Sequence, residues 1–170
     1  MILGMSISAF TTIHVVLSLI GIAAGFVVVA GLFGSKRVDG WTGAFLATTI
    51  LTSVTGYFFP VDKILPSHIV GAVSLIVLAV AVLSYYRYHL QGSSRWIYVV
   101  TALVALWLNV FVAVAQSFAK FPFLHSIAPT QSEPPFVISQ LVVLIVFVAL
   151  GIGAIKSFHP ASSAPSLRPA

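Results

Sequence analysis

Two histidines stand near the starts of long apolar segments, His14 in the first and His68 in the third. A neutral imidazole is a common metal ligand, and two of them on neighbouring helices at similar depth can hold a haem iron from both faces. Ionisable side chains are costly inside a membrane, and by default they mark functional sites there. The pair is therefore predicted to bind a b-type haem or another metal. The alternative is two interfacial histidines that only touch headgroup water.

Two amides share one face of the fourth apolar segment, because Asn109 and Gln116 are seven residues, or about two helical turns, apart. Such a pair suits hydrogen bonds to a quinone carbonyl or a small polar ligand, and it suits cross-links between helices equally well. We predict both amides as further contacts of the cofactor. The resulting hypothesis is electron transfer to or from a quinone.

A second group of polar residues is predicted to line or cover the same pocket: Thr52, Thr55, Tyr57, His125, Glu133 and Gln140. Each has a structural alternative. Intramembrane threonines bond to backbone carbonyls and join helices, and a carboxylate at a helix start is favoured by the helix dipole. A surface position is the alternative for His125 in the long loop at about residues 120–132.

The composition indicates that membrane helices hold these side chains, because 59% of the 170 residues are hydrophobic and only 6% are charged. The mean hydropathy is +1.12. A soluble domain carries about a quarter charged residues, whereas a membrane helix needs roughly 20 apolar ones in a row. The pattern predicts an all-α bundle of five transmembrane helices in a single domain, over about residues 8–34, 41–59, 66–88, 96–119 and 136–158. Residues 159–170 are predicted to be a disordered cytoplasmic tail.

Basic residues predict the orientation of this bundle. Six lie on the side that holds the loops after the first and third spans and the C-terminal tail, and only Lys63 and Lys120 lie on the other side. The six are Lys36, Arg37, Arg87, Arg95, Lys156 and Arg168. By the positive-inside rule the N-terminus is predicted outside and the C-terminus in the cytoplasm. The polar candidates then all fall in the outer half, with a nearly apolar inner half.

Other function classes are limited by what the sequence lacks. It has no cysteine, and Lys36-Arg37 is its only close basic pair, so thiolate sites are excluded and nucleic acid is an unlikely partner. Since no catalytic motif is recognisable, enzyme activity stays open. The alternatives to haem binding are a small transporter or permease-like subunit, and an accessory subunit of a homo-oligomer or larger membrane complex. That subunit would dock through the GxxxG face Gly21–Gly25.

Three stretches carry a resemblance to other proteins: Leu65-Pro66-Ser67-His68, Leu108-Asn109-Val110-Phe111 and the run from Ser126 to Phe136, SIAPTQSEPPF. With these, the chain resembles an uncharacterised family of small bacterial inner-membrane proteins, over spans two to five. The resemblance implies a bacterial inner-membrane location and brings no activity with it.

Overall fold

The computed structural model describes residues 2–60 and 66–160. Its helices are α1 (Ile7–Phe33), α2 (Asp39–Thr55), α3 (Pro66–Val82), α4 (Ser94–Lys120), α5 (Pro122–Ile127) and α6 (Pro134–Ser157). A 3₁₀ turn, Gly56–Phe58, extends α2, and a π-helical turn, Leu83–Arg87, extends α3. Lys63, and the predicted tail from residue 161 onward, lie outside the described residues.

Four segments are long and apolar enough to cross a membrane: Ile7–Phe33, Ser67–Arg87, Ser94–Lys120 and Pro134–Ser157. Helix α2 has 17 residues, which is shorter than these four. The prediction of an all-helical bundle with several membrane-capable helices is confirmed at this level.

The helix ends follow local chemistry. The Ser6 side chain accepts a hydrogen bond from the Ala9 amide and caps α1, as hydroxyl residues do at helix starts. Prolines begin α5 and α6, where the missing amide hydrogen costs nothing. The predicted open loop of residues 120–132 is partly wrong, because Pro122 starts the short helix α5 within it.

Helices α1 and α2 form an antiparallel hairpin held by close approach at glycines. A Cβ on Gly21 would lie 3.0 Å from Thr49 Oγ1, and one on Gly31 would lie 3.0 Å from a methyl of Val38. At the other end of the hairpin, the ring centroids of Phe10 and Phe59 are 5.2 Å apart. The two helices therefore touch along nearly all of their length.

Helix α4 is the central element, and it contacts α1, α3 and α6. It runs antiparallel to α6, since Phe118 packs on Phe136 at one end and Arg95 donates to the Phe158 carbonyl at the other. Within α6 only Phe147 and Ala154 are buried and about half of the residues are exposed, so this helix meets the bundle along a narrow seam. Most of α6 would face lipid in a membrane.

The GxxxG face of α1 packs against α2 and α4 of the same chain. Gly21 and Gly25 are both buried, and a Cβ on Gly25 would lie 2.5 Å from Leu106 Cδ1 and 3.1 Å from Phe45 Cδ2. The prediction that this face docks a partner subunit is therefore wrong. Small residues were a correct sign of close helix packing, but the partners are α2 and α4.

Candidate functional site

The bundle has two ends, named here for the residues that mark them. The His14 end contains the starts of α1, α3 and α6 and the ends of α2 and α4. The Arg37 end contains the loops after α1 and α3 and the end of α6. Because α1 is antiparallel to both α2 and α4, polar residues from all three helices meet in the half of the bundle nearest the His14 end.

His14 has a fixed partner on α2. Its Nδ1 lies 2.8 Å from Thr55 Oγ1, and the Thr55 hydroxyl donates its own hydrogen to the Leu51 carbonyl at 2.7 Å. The hydroxyl can therefore only accept from the ring, so Nδ1 carries the hydrogen in the neutral imidazole. Nε2 is left with a free lone pair, and Lys120 lies close enough to act on the ring electrostatically. This is the arrangement of a histidine ready to bind a metal or accept a proton.

His68 contacts Tyr57, which lies in the 3₁₀ turn that follows α2. Its ring centroid is 5.4 Å from that of Tyr57, and its backbone carbonyl accepts a hydrogen bond of 2.7 Å from the Tyr57 hydroxyl. The edge of the His14 ring instead meets Phe59, with centroids 5.3 Å apart. Both histidines thus pack on the turn that follows α2, each against its own aromatic neighbour. Their predicted joint ligation of one iron stays a prediction.

Asn109 lies deeper, and it is buried with 8% of its surface exposed. Its Oδ1 accepts a hydrogen bond of 2.8 Å from the Ser18 hydroxyl, which links α4 to α1. Its Nδ2 is buried and has no hydrogen-bond partner, and the same holds for Oγ1 of Thr49 on α2. Thr49 was not among the predicted site residues. The i, i+7 spacing between Thr42 and Thr49 is the sequence signal that could have shown it facing the interior.

The predicted pocket and lid residues have varied surroundings. Thr52 Oγ1 and Gln140 Oε1 are buried without a hydrogen-bond partner, while Gln140 Nε2 donates to the Phe111 carbonyl at 3.1 Å. Gln116 is exposed near the end of α4, so it does not share the buried environment of Asn109. His125 is exposed on α5.

Glu133 stabilises the turn before α6. Its carboxylate accepts hydrogen bonds from the Thr130 hydroxyl at 2.8 Å and from the Thr130 and Ser132 amides, both at 3.1 Å. Slight desolvation alone would raise the pKa of Glu133, but these hydrogen bonds to the carboxylate outweigh it and lower the pKa. The carboxylate thus holds the preceding loop together, and it makes no side-chain cap to α6.

The expectation of a nearly apolar half at the Arg37 end is wrong. Thr42 and Tyr98 are each 1% exposed, with their hydroxyls 3.5 Å apart, and Tyr85 is 2% exposed and donates to the Asp39 carboxylate. Arg37 bonds to Asp39 at 3.2 Å and lies over the Tyr85 ring at 4.8 Å from its centroid. The hydrogen bond from Tyr85, with the charge of Arg37, lowers the pKa of Asp39.

Sequence reasoning missed this second cluster, because tyrosines and tryptophans near the ends of membrane spans are typical of an interfacial aromatic belt. Trp41, Tyr86, Tyr88 and Trp96 are indeed exposed, each by about half of its surface, whereas Tyr85 and Tyr98 turn inward. Among the described residues, no group of three or more His, Asp or Glu side chains could hold a metal ion.

Comparisons of the chain with protein-family models, with curated proteins and with solved structures gave no match.

Proposed function

We propose that this chain is an inner-membrane protein of five crossings, with its N-terminus outside and its C-terminus in the cytoplasm. Helices α1 and α3 both run antiparallel to α4, so they are parallel to each other, and the chain must cross back between them through α2. The turn Gly56–Phe58 lengthens α2 for this crossing. In the described residues Lys36, Arg37, Arg87, Arg95 and Lys156 lie at the Arg37 end and Lys120 at the other, which favours the Arg37 end as cytoplasmic.

The function proposed for this protein is to bind a cofactor or small polar ligand near its outer surface, with His14 as the anchoring residue. The observation that carries the proposal is the hydrogen-bond chain from His14 Nδ1 through Thr55 to the Leu51 carbonyl. It orients the ring, selects its tautomer and leaves Nε2 as the reactive nitrogen. Metal-binding histidines usually have such a partner on their second nitrogen, and it raises the basicity of the ligand atom.

A b-type haem is the cofactor proposed for this site, with His14 and His68 as the ligands of its iron. His14 fits that role. His68, the second ligand of this proposal, packs its ring on Tyr57 with the ring centroids 5.4 Å apart. A bound haem would supply one-electron transfer. Gln116, exposed near the same end, is accessible to the carbonyl of a quinone partner.

An optical spectrum tests this proposal. Protein purified from haem-replete cells is expected to show a Soret band, which His14→Ala removes and His68→Ala removes or shifts to the spectrum of a five-coordinate iron. His159→Ala is the matched control, since His159 is exposed at the opposite end, and its spectrum should not change. A colourless protein would exclude haem. A band that survives in His14→Ala would exclude the assigned ligand.

Transport of a small solute or of protons is a second candidate function, and the cluster at the Arg37 end favours it. Buried polar residues now occur on both sides of one apolar layer, where Phe45 and Leu106 pack over Gly25. From Thr49 to Thr42 that layer covers roughly 10 Å along α2, at 1.5 Å per residue. Liposomes with the purified protein should then be more permeable than empty ones, and Phe45→Ala should increase the flux. Equal flux with and without protein would reject transport.

A further inference from the structure

Two polar atoms in the middle of the bundle are buried without a hydrogen-bond partner and belong to facing helices. They are Thr49 Oγ1 on α2 and Asn109 Nδ2 on α4. The two residues are only 2% and 8% exposed. A polar group buried in an apolar medium without a partner costs several kcal/mol, and in a membrane no bulk water can replace the partner. Such atoms therefore indicate an occupant that bonds to both.

Both atoms converge on Gly21 of α1. The point where a Cβ would stand on this glycine is 3.0 Å from Thr49 Oγ1, 3.2 Å from Asn109 Nδ2 and 3.1 Å from a third polar atom, Thr48 Oγ1. Three polar atoms of two helices thus lie around a position on α1 that has no side chain. We propose that a single buried water molecule binds here and bridges Asn109, Thr49 and Thr48.

The donors and acceptors balance for water. Asn109 Nδ2 and the Thr49 hydroxyl can both donate to the water oxygen, and the water can donate a hydrogen to Thr48 Oγ1. Thr48 can accept because its own hydrogen is already donated to the Ala44 carbonyl at 2.7 Å. Buried waters typically make about three hydrogen bonds to groups that would otherwise lack a partner.

This water site is separate from the ligand proposed at His14. It lies seven residues deeper along α1, or roughly 10 Å at 1.5 Å per residue. The Ser18 hydroxyl bonds to the same carboxamide, at 2.8 Å from Asn109 Oδ1, and joins the site to the outer residues. Haem binding can therefore fail while the water is present, and the reverse also holds.

A double-mutant cycle tests the site by thermal unfolding of the purified protein. Thr49→Val removes the hydroxyl at nearly constant shape, and Asn109→Leu removes the amide. If the water bridges the two residues, each single variant lowers Tm by roughly 2–4 °C, and the double variant lowers it by clearly less than the sum. Thr101→Val is the matched control, because its hydroxyl bonds to the Ile97 carbonyl of its own helix. Its effect should add to that of Asn109→Leu.

If no water binds between Thr49 and Asn109, the opposite changes in Tm are expected. Removing the unpaired hydroxyl in Thr49→Val would then leave Tm unchanged or raise it, and the two effects would add.

Discussion

The hydroxyl of Thr55 controls which nitrogen of His14 carries the hydrogen in the neutral ring. Since its hydrogen is donated to the Leu51 carbonyl, the oxygen accepts from Nδ1, and the ring is held with Nε2 free. A lone histidine without this contact would exchange between its two neutral forms and turn about its side-chain bonds. The threonine predicted as a pocket residue thus acts as the positioning residue of the predicted ligand.

Thr55→Val should remove the preference of His14 for the tautomer with the hydrogen on Nδ1. The nitrogen resonances of His14, measured by NMR with labelled histidine, should change from the Nδ1–H form to a mixture in which Nε2–H is present. The lost hydrogen bond should also lower the free energy of unfolding by about 1 kcal/mol. Thr55→Ser keeps the hydroxyl and should keep the resonances of the unmodified protein. Unchanged resonances in the valine variant would show that Thr55 does not select the tautomer.

At the scale of elements, the α1–α2 hairpin depends on glycines that admit neighbouring side chains. Gly25 is the tightest point of the two in the GxxxG pair, because Leu106 from α4 and Phe45 from α2 both reach its Cα. Three helices therefore share one contact. This contact forms the apolar layer between the two polar clusters.

Gly25→Ala should destabilise the bundle. The added methyl would lie 2.5 Å from Leu106 Cδ1 in the present packing, and overpacking of this kind costs about 1–3 kcal/mol. Gly40→Ala, near the start of α2, is the control, since nothing lies within 4 Å of its Cβ position. It should keep or raise Tm, because alanine favours helix by up to about 1 kcal/mol over glycine. Equal Tm values for both variants would contradict the packing argument.

At the scale of the whole molecule, two buried polar clusters lie on either side of an apolar layer, and the charges are unequal at the two ends. Lys36, Arg37, Arg87, Arg95 and Lys156 lie at the Arg37 end, with contacts that tie α6 to α4 and to the first loop. Hydrogen bonds therefore join the end of α6 to two other parts of the chain at this end. The His14 end holds the candidate ligand site and the loop stabilised by Glu133.

The proposed orientation can be checked with single cysteines, because the chain has none of its own. A membrane-impermeant maleimide added to spheroplasts should label His125→Cys on α5 and should not label Gln91→Cys in the loop after α3. Both positions are exposed, so differences in burial do not explain the contrast. After the membrane is opened with detergent, both should react. Labelling of Gln91→Cys alone in closed spheroplasts would reverse the topology.

The sequence by itself determined the class of fold and most helix bounds. Long apolar segments need helices in a membrane, and prolines, glycines and charges end them, so the predicted spans agree with α1, α3, α4 and α6 to within a few residues at either end. Helical spacing also placed Asn109 in the interior, since a strongly polar side chain in an apolar segment has few other places to go.

Only the tertiary structure decided which side chains meet. Periodicity reports the face of one helix, but contacts between His14 and Thr55, between Asn109 and Ser18, or between Tyr85 and Asp39 depend on how helices are paired and rotated. That pairing is set by shape, here by Gly21 and Gly25 admitting α2 and α4. The same packing turned Tyr85 and Tyr98 inward and placed Gln116 at the surface, which no pattern along a single helix could have distinguished.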